Sequence, residues 1–88
     1  MAELTVSVVS ADQEVWSGLA KQVIARTTEG EIGILAGHEP LLAILGQGEV
    51  RVTTTDGAVI TANADDGFLS VEHDTVTIVA RNASLASA

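Results

Sequence analysis

The chain of 88 residues carries twelve acidic and four basic side chains, a net charge of −8, and no cysteine. This length suits one domain, and the acidity argues against binding to nucleic acid or anionic lipid, whose phosphates attract basic side chains. Disulfides, thiolate catalysis and thiolate metal sites are excluded, and no apolar run approaches the ~20 residues that insert into and cross a bilayer.

The composition favours strands, because the chain has 11 Val, 6 Ile and 9 Thr and β-branched side chains pack well on a pleated sheet. Residues 4–8, 50–53 and 75–80 alternate apolar and polar side chains with the period of two typical of half-buried strands. Turn signals occur at Ala11–Gln13, Gly18, Thr28–Gly30, Gly46–Gly48, Asp56–Gly57, Asp65–Gly67 and Glu72–Asp74. We therefore expect an all-β fold of eight or nine short strands, as a small sandwich or flattened barrel.

Residues 30–45 form the most informative stretch, GEIGILAGHEPLLAIL. Glycine permits backbone conformations closed to other residues and proline fixes its own φ, so we expect Gly30, Gly33, Gly37 and Pro40 to shape a loop between buried strands. A phosphate-binding loop is excluded, because neither Gly-Lys-Ser/Thr nor a following helix is present. Residues 40–45 suit a helical turn or a buried strand equally well.

Catalytic chemistry finds little support in the chain. No serine lies in a nucleophile elbow. We expect His73 to be a solvated turn residue, because it lies between Glu72 and Asp74 in a predicted turn. A metal site at His73 and Asp74 would need a third ligand that the spacing does not supply. Trp16 is expected to pack in the core or at an interface. A small hydrolase or lyase using His38 and Glu39 stays open as a minor hypothesis, and it requires a concave pocket at His38.

The pattern of residues 30–42 resembles the signature of the epsilon subunit of rotary ATP synthases. Val15–Gly18 is similar to the early turn of actinobacterial members, and Gly67–Val71 resembles the strand that opens with Gly-Gly-Phe in the family. The resemblance extends over nearly all of residues 3–83. Two departures stand out: Ala36 replaces the usual Pro, and Asp66 occupies the place of the first Gly of the pair.

The resemblance implies a flattened β-sandwich of two roughly five-stranded antiparallel sheets over residues 1–83. Epsilon subunits usually continue into a helical hairpin that inhibits ATP hydrolysis and in some members binds ATP. Residues 84–88 correspond to the tail where that hairpin would begin, so neither property is expected of this chain.

The resemblance also implies a non-catalytic rotor subunit without cofactor or bound metal. Such a subunit packs on the gamma subunit, rests on the c-ring at the cytoplasmic face of the cell membrane, and helps couple proton flow to ATP synthesis. In the family the positions of Glu31 and His38 face the ring, and with Glu39 they would present acid and imidazole to basic loops of the ring. For His38, a loop-shaping hydrogen bond to the backbone is an alternative that is compatible with this role. A free-standing acidic adaptor is the alternative function.

Overall fold

The computed structural model describes residues 3–11 and 13–85, with the backbone alone at Gln47. These residues form six β-strands and no helix. The strands are β1 (Leu4–Ser10), β2 (Glu14–Thr27), β3 (Gly30–Leu35), β4 (Leu41–Thr54), β5 (Val59–Glu72) and β6 (Thr75–Leu85). Residues 40–45, which suited a helical turn or a strand in the sequence, therefore belong to a strand from Leu41 onward.

The strands fold into two packed layers because the long ones bend and pass through both. The N-terminal half of β2 pairs with β1, whereas its C-terminal half pairs with β3 and β4. The first layer contains β1 with residues 14–20, 41–45, 67–72 and 75–80, and the second contains β3 with residues 22–27, 49–54, 59–64 and 82–85. Each layer thus has five strand segments, which agrees with the predicted sandwich of two roughly five-stranded sheets.

One pair departs from the predicted antiparallel arrangement: β1 and β6 run parallel, with Val6 beside Val76 and Val8 beside Ile78. The reason is topological. Strands β1, β2, β4, β5 and β6 form a closed ring of pairings, and a ring with an odd number of strands cannot alternate direction at every pair. All other pairs are antiparallel.

The described residues form six strands rather than the predicted eight or nine, because three of the predicted turns lie inside strands. Gly18 lies in β2, Gly46–Gly48 in β4 and Asp65–Gly67 in β5. At Gly46–Gly48 the pairing of β4 with β2 is irregular, because Thr27 pairs with Leu45 whereas Ala25 pairs with Val50. The extra residues of β4 between Leu45 and Val50 form a bulge. Glycine and aspartate accept the irregular backbone of a bulge, and the hydrogen-bonded ladder then resumes beyond it.

The core between the layers is almost entirely aliphatic. Inward positions alternate along β1, where Leu4, Val6 and Val8 are buried, and the same alternation continues on the other strands. Trp16 is half-buried against this core and lies over Gly18, where an added Cβ would approach the indole ring to 2.9 Å. The predicted packing role of Trp16 therefore fits its position.

The end of β6 overlaps the predicted tail. Ala83, Ser84 and Leu85 pair with residues 62–64 of β5, so the second layer uses two residues that the sequence analysis assigned to the tail. Residues 86–88 of that tail lie outside the described residues.

Candidate docking surfaces

The stretch 30–45 is less of a loop than the sequence predicts. Strand β3 takes up Gly30–Leu35 and β4 begins at Leu41, so the connection is confined to residues 36–40, here called the His38 loop. Glu31 lies near the start of β3, and roughly 13 Å of strand separates it from Leu35 at the other end. Glu31 therefore lies in a strand and not in the loop, and only His38 and Glu39 share the loop.

Glu31 is an exposed member of a small charge network. Its Oε2 lies 3.5 Å from Nη2 of Arg51, which reaches across β2 from β4. Arg26 is the direct cross-strand partner of Glu31 on β2, and Glu49 lines the same shallow groove. Two arginines and two glutamates thus line this groove, and Glu31 forms an ion pair with Arg51 of its own chain.

The His38 loop is ordered by short hydrogen bonds. The His38 amide donates to the carbonyl of Leu35 at 3.1 Å, and the ring Nδ1 lies 2.7 Å from the carbonyl oxygen of Glu39. This is the loop-shaping contact expected as one role of His38. The amide of Gly37 donates to Oδ1 of Asp74 at 2.7 Å. Glu39 is exposed at the tip.

The four predicted loop-shaping residues divide into two groups. Gly30 (φ 119°) and Gly37 (φ 87°) adopt the left-handed backbone that favours glycine, and Pro40 immediately precedes β4. Gly33 does not shape a loop. It lies inside β3 without a positive φ, and an added Cβ would meet nothing within 4 Å.

The other histidine occupies a tight turn. His73 (φ 50°) and Asp74 (φ 58°) join β5 to β6, and His73 is exposed, as the sequence predicts. Residues 3–11 and 13–85 contain no group of three His, Cys, Asp or Glu side chains arranged to hold a metal. The minor hydrolase hypothesis requires a concave pocket at His38. Three surface grooves of the described residues are lined by residues other than His38 and Glu39, so they give this hypothesis no support.

An apolar patch on the outer face of the first layer is the main feature that the sequence analysis missed. Leu42, Ile44 and Phe68 expose 69%, 58% and 40% of their surface. Ile44 and Phe68 are direct cross-strand partners, and Leu42 lies on the same face two residues before Ile44. We call these three residues the outer apolar face. The sequence does contain a signal for this patch, because residues 41–45 are all apolar. A strand of such residues has two apolar sides, and only one of them can face the core.

A groove of mixed lining continues the outer apolar face toward β3, with Thr27, Thr28 and Glu29 on its polar side. It has a volume of about 350 Å³, and Leu42 and Ile44 belong to both the groove and the face. Ile32 of β3 and Leu41 of β4 extend its apolar lining. Contiguous exposed apolar surface of this kind marks interaction sites more often than isolated exposed residues do.

Comparison with known families identifies the fold. Residues 3–86 match the family model described as the β-sandwich domain of the ATP synthase delta/epsilon chain. The chain belongs to this family. An ATP synthase epsilon chain of Micrococcus luteus is 58% identical over 88 residues, covering all of this chain and 97% of the relative. The epsilon chain of Rhodococcus opacus is 53% identical, covering 98% of this chain and 71% of the relative.

Solved structures agree with this assignment. A chain in the Euglena gracilis mitochondrial ATP synthase, a structure of OSCP, F1 and c-ring, superimposes with a TM-score of 0.90 at 26% identity. The match covers 97% of this chain but only 54% of the Euglena chain. A chain in the Tetrahymena thermophila central stalk and c-ring structure has a TM-score of 0.72 at 15% identity, covering 91% of this chain and 64% of that one. At that identity the second match supports the fold alone.

Family membership confirms the resemblance found in the sequence. The epsilon chain family supplies a non-catalytic subunit of the ATP synthase, a membrane-associated enzyme complex. No helix long and apolar enough to span a membrane occurs in the described part of the chain.

Proposed function

We propose that the domain is a rotor part of a proton-translocating ATP synthase that docks the gamma subunit onto the c-ring and helps couple ion flow to ATP synthesis. On this proposal it lies at the cytoplasmic face of the cell membrane, held there by its partners. The observation that carries the proposal is the presence of an exposed apolar face and of exposed polar groups on a single sandwich of the epsilon chain family.

The outer apolar face is proposed to bind gamma. Fully burying a Leu, Ile or Phe side chain contributes ~1.5–3 kcal/mol, and these three side chains are 69%, 58% and 40% exposed in the isolated domain. Their burial against a partner would therefore supply most of the affinity. The groove beside Ile32 and Leu41 would extend the same contact.

The polar surface, formed by Glu31 and the His38 loop, is proposed to face the c-ring. Exposed ion pairs contribute only ~0.2–1 kcal/mol each, so these contacts would set register and the rate of association rather than affinity. The pair between Glu31 and Arg51 adds a condition, because a basic ring loop would have to compete with Arg51 for the carboxylate of Glu31.

Two double variants test the two surfaces independently. Leu42→Ser with Ile44→Ser should weaken binding to a purified complex of the gamma subunit with its catalytic partners by about tenfold or more. Glu31→Ala with His38→Ala should weaken binding to the purified c-ring about three- to tenfold. Each double variant should leave the other partner's affinity within twofold of wild type, as measured by surface-immobilised binding assays.

Val59→Ser is a matched control for the apolar variant. Val59 exposes 54% of its surface at the start of β5, in the other layer, so its replacement changes exposed apolar area without touching the outer apolar face. Equal loss of gamma binding in the control and in the Leu42/Ile44 variant would refute the assignment. Failure of the wild-type domain to bind gamma at all would instead favour the free-standing adaptor.

A further inference from the structure

One carboxylate holds the His38 loop to the rest of the sandwich. Oδ1 of Asp74 accepts a hydrogen bond from the amide of Gly37 at 2.7 Å, across 37 positions in the chain. The other hydrogen bonds of the loop are local, from the His38 amide to Leu35 and from the His38 ring to Glu39. In the part of the chain that the structure describes, Asp74 is thus the one hydrogen-bonding link between this loop and a distant segment.

Asp74 is itself firmly placed. Glu72 pairs with Thr75, so His73 and Asp74 are the two central residues of a tight β5–β6 hairpin turn. Both have positive φ, as the favoured two-residue hairpin turn requires, and aspartate tolerates this backbone. The carbonyl of Asp74 also accepts from the amide of Thr5 in β1 at 2.8 Å. The carboxylate therefore projects from a point that two strand connections fix.

The geometry points to Asp74 as the positioning residue of the His38 loop, a role that rests on the proposed docking function. By fixing the amide of Gly37, the carboxylate fixes the backbone from which His38 and Glu39 project toward the ring. Without it, docking would have to order a loop that retains only local bonds, and this ordering opposes binding through lost conformational entropy.

Two substitutions at this position separate the hydrogen bond from other effects. Asp74→Asn and Asp74→Gly both remove one negative charge, and both residues tolerate a φ of 58°. Only Asn retains an oxygen in place to accept from Gly37. A difference in ring binding between the two variants therefore measures the effect of the hydrogen-bond acceptor, because both variants lose the same charge and both accept the same backbone conformation.

Binding of the full domain to a purified c-ring is the functional measurement. We expect Asp74→Gly to bind the ring about fivefold more weakly than wild type and Asp74→Asn to stay within twofold. Binding to the complex that contains gamma should be unchanged in both variants. Hydrogen exchange at the Gly37 amide, followed by NMR, should be about tenfold faster in Asp74→Gly and near wild type in Asp74→Asn.

The outcomes distinguish this inference from the proposed function. Equal ring affinity for wild type and Asp74→Gly would overturn the positioning role while leaving the docking function in place. Equal weakening in both variants would assign the effect to charge and would also overturn it. A wild-type domain that binds gamma but not the ring would refute the ring-docking function, and the positioning role with it.

Discussion

At the scale of single residues, two neighbours in β5 show how closely the backbone dictates side chains. Asp66 has a φ of 56° at the position where the family pattern has its first Gly. The backbone requirement for a left-handed residue is therefore real, and aspartate meets it because its short polar side chain tolerates this region. The next residue, Gly67, has a different constraint. A Cβ there would collide with the carbonyl oxygen of Val79 and would lie 2.5 Å from Cα of Ala80.

Replacing Gly67 by alanine should destabilise the domain strongly. The added methyl group would meet the backbone of β6, which cannot move aside as a flexible side chain could, so β5 and β6 must separate. We expect a loss of about 3 kcal/mol or more in the free energy of unfolding, measured by urea denaturation.

Gly33→Ala is the matched control for this prediction. Gly33 is also a strand glycine, but an added Cβ meets nothing within 4 Å and its φ is not positive. Alanine there should be neutral or stabilising by up to ~1 kcal/mol. Similar losses in both variants would show that the close approach of β6 to Gly67 is not the cause.

Sequence reasoning found the polar candidates but not their partners. Glu31 and His38 were selected because they match family positions that face the ring, and Glu39 because it adjoins His38 in the same stretch. The pairing of Glu31 with Arg51 depends on the register of β3 and β4 against β2, and the contact of Gly37 with Asp74 joins residues 37 positions apart. Local patterns carry no information about such distant pairings.

At the scale of elements, the sequence predicts where strands lie better than where they end. Alternation located β1, the second half of β4 and β6, because one side of each strand is buried in the core. Glycine and aspartate mark both hairpin turns and irregular places within strands, so the bulge in β4 and the positive-φ position Asp66 in β5 were predicted as turns. The hairpin at Asp56–Gly57 was predicted correctly and joins β4 to β5.

The β4–β5 hairpin should make a pH-dependent contribution to stability. The pKa of Asp56 is held below its ordinary value of 3.8, mainly by a hydrogen bond from the Thr54 hydroxyl and also by one from the Ala58 amide. A group whose pKa is lowered by folding stabilises the folded state above its unfolded pKa, and this effect is lost as pH falls through the folded pKa. The contribution of Asp56 is therefore complete at neutral pH and disappears in acid below pH 3.8.

The difference in melting temperature between wild type and Asp56→Ala isolates this effect, because the other carboxylates titrate in both proteins. We expect wild type to be more stable from pH 5 to 7, and we expect the difference to shrink as the pH is lowered toward 2. Thr54→Val removes the hydroxyl donor and should reduce the pH-dependent part of the difference. A difference that stays constant from pH 7 to 2 would contradict the assignment.

At the scale of the whole molecule, the two layers are not separable units. Strands β2, β4 and β5, each of 14 residues, and strand β6 all contribute a segment to both layers. One aliphatic core, from Val6 in the first layer to Val50 in the second, is shared between them. On the proposed function the domain transmits torque and must resist bending between its two proposed docking surfaces, and we expect the continuous strands to supply that resistance.

We expect the domain to unfold in one cooperative step for the same reason. Freeing either layer would require breaking four strands, β2, β4, β5 and β6, within their length, and a domain of this size has no second core to hold the remainder. Urea unfolding followed by Trp16 fluorescence and by far-UV circular dichroism should give the same midpoint. Native-state hydrogen exchange provides the sharper test: the amides of Val6 and Ile78 in the first layer and of Val23 and Val50 in the second should share one opening free energy, equal to that of global unfolding. Distinct opening free energies for the two layers would mean that the bends at Gly46–Gly48 and Asp65–Gly67 act as hinges, and the sandwich could not then transmit torque as a rigid body.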